Sequence, residues 1–290
     1  MASAAQLSLN EDYNLLTSEK HTIPISNSIA LEVYSNTKPC NLKIGCLQKG
    51  LIFAYDGTER VGEGTGFGFP VLIYPKETYF SSSAEVWMKQ TSDSIKIKKE
   101  FIMDQIARNK LGNTRLENQQ ARTFIRILTD LYQKNNRFRF LAVKEVIVNM
   151  GVQTAFVKTV SIGTIAVTYE VTNCAVNVKV DFRQLRKKYP RRIFVLNEQS
   201  ACFFRRYGDS RGSVLVDDQI GAWETVDSDW ACLTDLKGRI GFRLWNVGGC
   251  VFRRGRETMK KCLDWSGLDY EVDPKSEVFE YRIDLLGAEP

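Results

Sequence analysis

The chain has 290 residues, of which 43% are hydrophobic and 26% are charged, and its formal net charge is +6. This is ordinary globular composition with enough apolar side chains for a sizeable core. No apolar run approaches the length of a membrane span, so we expect no transmembrane helix. The first ten residues lack both a basic and an apolar segment, so we also expect no secretory signal peptide.

The seven cysteines are odd in number and widely spaced, and no C-x-x-C pair occurs. This spacing disfavours a disulfide framework and a zinc site and favours reduced thiols, so we expect a cytoplasmic protein. The one histidine, His21, follows a polar stretch that is typical of a solvated surface. We therefore expect no metal site and no cofactor, and acid–base chemistry would fall to carboxylates, Tyr, Lys or Cys.

In chain order, residues 1–20 are expected to be flexible, and strands follow wherever apolar and polar residues alternate. The clearest alternation runs from Val176 to Phe182, and a change of parity at Gly163 and Thr164 predicts a turn or bulge. Helical spacing predicts one helix near 114–134, and 103–111 is expected to form a second, short helix. Further strands are predicted at 29–34, 41–47, 51–55, 71–74, 78–80, 84–89, 94–101, 193–196, 201–207, 213–216, 223–226, 231–233, 239–247 and 279–284.

This succession predicts an all-β fold, a large antiparallel β-sandwich with one prominent helix near 114–134. No linker rich in Pro, Gly or Ser separates two halves, and no internal repeat occurs. We therefore expect residues 1–290 to form a single domain.

The most informative segment is 61–70, where four glycines alternate with Glu, Thr and Phe before an apolar run. Glycine at every second position clears one face of an extended segment, so another strand, an aromatic ring or a sugar plane can approach. A phosphate loop would need a Lys-Ser/Thr ending and a following helix, and the sequence has neither. Glu63 is then a carboxylate open to a ligand, with Tyr79 as a stacking face. The alternative is a β-bulge with an exposed glutamate.

A second cluster combines Glu198 with Arg205, Arg206 and Asp209. Glu198 follows a predicted buried strand, where a raised pKa would suit it to acid–base chemistry. Planar carboxylate and guanidinium groups suit sugar hydroxyls and acidic sugars. The alternative is a hairpin end held by salt bridges.

A third cluster places Trp223 beside Glu224. This pairing is met in sugar subsites, where C–H faces stack on the indole, and as often in ordinary cores. Together the clusters predict Glu63, Glu198 and Glu224 as proton-transfer groups. The predicted substrate-binding residues are Arg205, Arg206, Asp209, Trp223 and Tyr79.

Basic residues supply a rival hypothesis, in which the chain is a non-enzymatic binding module for nucleic acid or another polyanion. A second basic run follows at 253–261, and acidic residues are spread through the chain, 34 against 40 basic ones. A merely solvated loop is the ordinary alternative. The residues that would bind the polyanion are Arg183, Arg186, Lys187, Lys188, Arg191 and Arg192.

The succession of strands and the aromatic-rich second half resemble the galactose-mutarotase-like β-supersandwich of aldose epimerases and carbohydrate-active accessory domains. The glycine segment 62–70 with the Tyr79-Phe80-Ser81 run is similar to uncharacterised archaeal proteins. The resemblance implies a carbohydrate ligand, and the arginines of the second cluster extend this expectation to a sugar acid. Epimerase chemistry is not implied, because that family uses histidines with a glutamate and this chain has only His21.

Overall fold

The computed structural model describes residues 13–35, 48–111, 114–115, 152–221, 223–259 and 263–288. Antiparallel strands dominate these residues, and the one helical element among them is a 3₁₀ turn, Asp217–Ile220. The prediction of an all-β sandwich is confirmed. The strands are β1 (Asn14–Leu15), β2 (Lys20–Pro24), β3 (Ile29–Tyr34), β4 (Ile52–Tyr55), β5 (Thr58–Glu59), β6 (Gly66–Ile73), β7 (Thr78–Gln90), β8 (Ile95–Leu111), β9 (Thr114–Arg115), β10 (Val152–Lys158), β11 (Thr164–Val171), β12 (Ala175–Asp181), β13 (Arg192–Gln199), β14 (Arg206–Asp209), β15 (Val214–Val216), β16 (Glu224–Thr225), β17 (Trp230–Thr234), β18 (Gly241–Trp245), β19 (Cys250–Met259), β20 (Leu263–Val272) and β21 (Val278–Leu286).

Seventeen of these strands form one large sheet that folds into two facing layers. The first layer has the order β6–β13–β20–β19–β16. The second layer has the order β7–β8–β11–β12–β21–β18–β17–β14–β15. A short pairing between β6 and β7, Leu72 with Tyr79 and Ile73 with Thr78, joins the layers at one edge.

The core lies between the layers and is rich in aromatic rings. Tyr270 of β20 lies 4.9 Å from Tyr281 of β21, and Phe67 of β6 lies 4.9 Å from Phe242 of β18, measured between ring centroids. These side chains are almost fully buried. Such T-shaped and tilted pairs add about 1 kcal/mol each to the free energy gained from burial.

The first layer turns its other face away from this core. Ile193 and Val195 of β13 are buried, whereas Phe194 and Leu196, which alternate with them, are half-buried. Successive side chains of a strand point to opposite faces, so the residues beside Tyr270 point away from the core as well. We call this surface the outer face; its strand residues are Arg192, Phe194, Leu196, Glu198, Arg253, Gly255, Gly267, Asp269 and Glu271.

A four-stranded sheet, β2–β3–β4–β5, packs beside the large one. Lys99 of β8 is fully buried between buried Ile97 and Phe101, and its ammonium donates a hydrogen bond to the Tyr34 carbonyl of β3 at 2.9 Å. Burial lowers the pKa of Lys99 to about 7 because the charged form loses its hydration.

The predicted helix 103–111 was wrong, because these residues belong to strand β8. The predicted strands 78–80 and 84–89 are confirmed as strand, but they form one continuous strand, β7. Offset bulges explain both differences, since Asp104 and Ser82 are each skipped in the β7–β8 register and bond to each other at 2.9 Å. The strand predicted at 201–207 begins only at Arg206, because residues 201–203 form a turn.

Two predictions fall largely outside the described residues. Thr114 and Arg115 form β9, paired with Leu111 and Lys110, and the rest of the predicted helix 114–134 is not described. The predicted strand 41–47 and most of segment 1–20 are also not described. Among the described residues, no helix has the length and apolarity that crossing a membrane requires. The described cysteines form no disulfide; they are Cys174, Cys202, Cys232 and Cys250.

Candidate functional site

A row of four residues crosses the first layer side by side. Gly66 of β6 pairs with Glu198 of β13, Glu198 pairs with Gly267 of β20, and Gly267 pairs with Gly255 of β19. Three of the four are glycines, so Glu198 supplies the only side chain of the row. Glycine inside strands marks a place where another group approaches the backbone closely.

The indole of Trp223 occupies the space that these glycines leave open. A Cβ on Gly255 would lie 2.5 Å from the Trp223 ring, and a Cβ on Gly267 would lie 2.9 Å from its Cη2. The same Cβ on Gly267 would lie 3.0 Å from Cγ of Glu198. Trp223 and Glu198 are therefore neighbours across Gly267, and the indole itself is half-buried.

Glu198 and Asp269 form a buried carboxylate pair at this point. Their exposed fractions are 8% and 2%. Thr65 donates its hydroxyl to Oε2 of Glu198 at 3.2 Å, and the amide of Asn197 donates to Oδ1 of Asp269 at 2.7 Å. Each carboxyl group thus accepts a hydrogen bond from a neighbouring segment, Glu198 from the residue before β6 and Asp269 from β13.

Burial shifts the titration of this pair. It raises the pKa of Glu198 to about 7, although Thr65 and Lys49 act in the opposite direction. Burial and then the charge of Glu198 raise the pKa of Asp269 well above its ordinary value. Because burial and the charge of Glu198 both disfavour ionisation of Asp269, the pair holds a proton near neutral pH.

Glu63 and Lys49 lie at the edge of the pair. The amide of Glu63 donates to the carbonyl of Asp264 at 3.1 Å. Burial raises the pKa of the Glu63 carboxyl, Lys49 lowers it, and Asp264 raises it further. The charge of Lys49 lowers the pKa of both Glu63 and Glu198, so both carboxyl groups lie near it. The structure thus brings two of the three predicted proton-transfer groups into one region.

The glycines of segment 61–70 allow its backbone to lie close to the backbone of Glu198. A Cβ on Gly64 would lie 2.6 Å from the carbonyl oxygen of Glu198, which is closer than real Cβ atoms come. A Cβ on Gly68 would meet the Tyr169 ring, whose hydroxyl donates to the Phe67 carbonyl at 2.7 Å. The segment therefore packs against another strand and an aromatic ring.

Glu224 points away from the pair. Its carboxylate accepts a hydrogen bond from Arg254 at 2.7 Å, and Arg254 precedes Gly255 on β19, so the two lie on opposite faces of that strand. The structure thus separates Glu224 from Glu198 and places it in an ion pair.

The other predicted binding residues make structural contacts. Arg205 forms a bidentate pair with Asp217 at 2.7 and 2.8 Å. The Asp209 carboxylate accepts hydrogen bonds from the Tyr207 hydroxyl and from the backbone amides of Arg211 and Ser213. The structure therefore does not bring these side chains to the carboxylate pair.

Tyr79 and Arg206 also lie outside the group around Glu198. Tyr79 is buried, donates its hydroxyl to Glu77 at 2.8 Å and packs edge-on against Tyr74. Arg206 is half-buried, and its side chain lies 3.5 Å from the position that a Cβ on Gly238 would occupy. Of the predicted binding residues, only Trp223 adjoins Glu198.

The basic residues at 183–192 form no uniform patch. Three of them are in ion pairs, Arg183 with Asp181, Lys187 with Glu77 and Arg192 with Glu271. The loop between β12 and β13 is exposed and also carries Tyr189, whose exposed fraction is 85%. Its other exposed cations are Arg186, Lys188 and Arg191.

Asp269, Thr65 and Lys49 were not predicted as site residues from the sequence. Asp269 lies far from Glu198 along the chain, and only the pairing of β13 with β20 brings them together. The available signal was Gly267 between Trp265 and Asp269, a glycine inside a strand-like run.

Replacing Gly267 with Ala tests whether the glycine row seats the indole. The new Cβ would crowd both Trp223 and Glu198, so we expect a changed tryptophan emission spectrum and a loss of about 1–3 kcal/mol in the free energy of unfolding. Gly248→Ala is the control, because a Cβ there meets nothing within 4 Å. Equal effects of the two substitutions would contradict this seating.

Comparison with known proteins identifies no family. No family model matches the chain, and no curated protein matches it. Among solved structures, the chain is similar to the Slr1438 protein from Synechocystis sp. PCC 6803, with 10% identity and a TM-score of 0.40, over 96% of this chain and 99% of that one. A similarity of this size carries no inference about function.

Proposed function

We propose that the chain binds a saccharide on the outer face, and that Glu198 and Asp269 transfer a proton to or from the bound sugar. The observation that carries this proposal is the buried carboxylate pair beside a half-buried indole over a row of glycines. The sequence resemblance to galactose-mutarotase-like sandwiches favours the same ligand class.

The site suits a sugar because it offers an aromatic ring for the C–H face and fixed carboxylates for the hydroxyl groups. The C–H face of a pyranose packs on an aromatic ring, and Trp223 is the ring beside Glu198. Sugar hydroxyls need acceptors that are fixed in place, and the carboxylates of Glu198 and Asp269 are fixed by Thr65 and Asn197.

Proton transfer follows from the titration of the pair. A group with a pKa near 7 populates both protonation states at neutral pH, which is the condition for effective general acid–base catalysis. The protonated carboxyl donates to a sugar oxygen, and the ionised one accepts a proton. Glu63, beside Lys49, is a third carboxylate at the rim.

A glycan array with wild-type protein, followed by calorimetry of the best ligands, tests the proposal. We expect Trp223→Ala to weaken binding about tenfold or more, since loss of a central aromatic contact costs over about 1 kcal/mol. Trp245→Ala is the matched control, because Trp245 is exposed and bonds to Asp284 instead. Absence of any saccharide ligand, or equal losses in both variants, would reject the proposal.

A second candidate function rests on the exposed loop between β12 and β13. Exposed cations beside the exposed ring of Tyr189 favour binding of single-stranded nucleic acid through phosphate contacts and base stacking. This function would leave the outer face without a catalytic role.

Salt distinguishes the two candidates. Binding of a single-stranded oligonucleotide through this loop should weaken steeply between roughly 50 and 200 mM salt. The variant with Arg186, Lys188 and Arg191 changed to Glu should lose it, while Arg282→Glu on β21 serves as a charge control. Unchanged binding in the triple variant, measured by fluorescence anisotropy, would exclude the loop.

A further inference from the structure

We infer that Arg253 and Arg192 form an anion subsite on the outer face, so that the saccharide carries a carboxylate or phosphate substituent. This inference rests on the proposed function of the same face. Neither arginine was among the residues that the sequence assigned to sugar binding.

The position of Arg253 follows from strand register. Arg253 pairs with Asp269, and Gly255, two residues further along β19, pairs with Gly267. At about 3.4 Å per residue, the guanidinium side chain therefore starts about 7 Å from the glycine row that Trp223 covers. A sugar stacked on Trp223 would direct a substituent along β19 to Arg253.

Two arginines share one carboxylate at this place. Arg192 holds Glu271 in a fork with two hydrogen bonds of 2.6 Å, and Arg253 reaches the same carboxylate at 3.4 Å. Both guanidinium groups lie over the ring of Phe194; Cζ of Arg192 is 4.6 Å from the ring centroid and Cζ of Arg253 is 5.9 Å from it. The two guanidinium groups thus share the single negative charge of Glu271.

Arg253 itself is incompletely paired. Its Nε is buried and has no hydrogen-bond partner among the described residues. Burial, and then the charge of Arg192, lower the pKa of Arg253, while Glu271 and Asp269 favour its charged form. When the Glu198–Asp269 pair holds its proton, the carboxylates around Arg253 balance less of its positive charge. An anionic ligand would supply the missing negative charge.

Guanidinium groups bind carboxylate and phosphate in the same forked geometry. The two substituents therefore share the chemistry of this subsite, and only direct comparison separates them. A neutral hydroxymethyl group in the same position would leave the excess positive charge uncompensated.

The test uses matched sugars that differ only at the sixth carbon: glucose, glucuronate and glucose 6-phosphate, with their galacto counterparts. Affinities are measured by calorimetry at constant ionic strength. We expect wild-type protein to prefer one of the anionic forms about tenfold or more over the neutral sugar. The preferred form identifies the substituent.

Substitutions show which residues cause the preference for the anionic sugar. Arg253→Gln should remove the preference for the anionic sugar and keep the affinity for the neutral one, whereas Arg282→Gln on β21 should change neither. Glu271→Gln should strengthen binding of the anionic sugar, because it removes the carboxylate that competes for both arginines. A general loss of folding cannot produce that gain, and thermal melts of each variant check for such a loss.

The outcomes separate the inference from the proposal on which it rests. Neutral and anionic sugars bound equally by wild-type protein would overturn the anion subsite and leave saccharide binding intact. A preference that persists in Arg253→Gln would also overturn it. Absence of binding by every sugar tested would overturn both.

Discussion

Replacing Lys99 with Met is expected to stabilise the protein at pH 7 and below. The Lys99 ammonium is fully buried, and its pKa falls from 10.5 to about 7, which corresponds to a cost of about 4–5 kcal/mol for the charged form. Methionine keeps most of the volume but leaves the Tyr34 carbonyl without its donor, a loss of about 1–3 kcal/mol. We therefore expect a net gain of about 2 kcal/mol near pH 6.

The gain should depend on pH with a definite sign. Between pH values of about 7 and 10.5 the unfolded chain binds a proton at Lys99 that the folded chain does not, so wild-type stability rises with pH across this window. The advantage of Lys99→Met should shrink there and reverse at the upper end. Urea denaturation across this range measures this dependence, with Lys98→Met on the opposite face of the strand as control, because Lys98 is only half-buried and is paired with Glu100. A Lys99→Met variant less stable than wild type at pH 6 would contradict the account.

Replacing Glu198 with Gln should stabilise the protein above pH 7. The folded-state pKa of Glu198 is raised from 4.5 to about 7, so the folded chain binds more protons than the unfolded chain between these values. Wild-type stability is thus expected to fall as pH rises through this window, by up to about 3 kcal/mol. Glutamine stays neutral and can still accept the Thr65 hydroxyl, so the variant should lack this decline.

Asp269 provides a check on this prediction. Because the charge of Glu198 contributes to the raised pKa of Asp269, Glu198→Gln and Asp269→Asn should not have additive effects above pH 7. Chemical denaturation of both single variants and the double variant measures the coupling. Additive effects, or a pH profile of Glu198→Gln identical to that of wild type, would mean that the two carboxylates do not interact.

The fold class could be predicted from the sequence where a strand has one buried and one solvated face. Val176 to Asp181 alternates in composition because β12 alternates in burial, and the strand lies where it was predicted. Strand β20 was missed because residues 266–270 are buried on both faces of the strand. Its sequence therefore lacks the alternation of polar and apolar residues that marks a strand with one solvated face. The bulges at Ser82 and Asp104 concealed the continuity of β7 and β8 in the same way.

The candidate site was partly predictable. Glu63, Glu198 and Trp223 stood out because each adjoins glycine, a buried strand or a carboxylate in the sequence, and the structure places them in one region. Asp269, Arg253 and Lys49 join that region only through strand pairing and loop packing, for which a single sequence gives no local signal. Arg205 and Glu224 have the chemistry of binding residues, but each has a nearby ion-pair partner.

The saccharide proposal is tested most directly by the indole N–H resonance of Trp223. It is assigned with Trp223→Phe and followed by NMR as the best array ligand is added to wild-type protein. We expect the Trp223 resonance to shift in a saturable way, with that of Trp245 unchanged, and the apparent affinity to vary with pH near 7 in wild type but not in Glu198→Gln. A saccharide that binds while the Trp223 resonance stays in place would contradict the account.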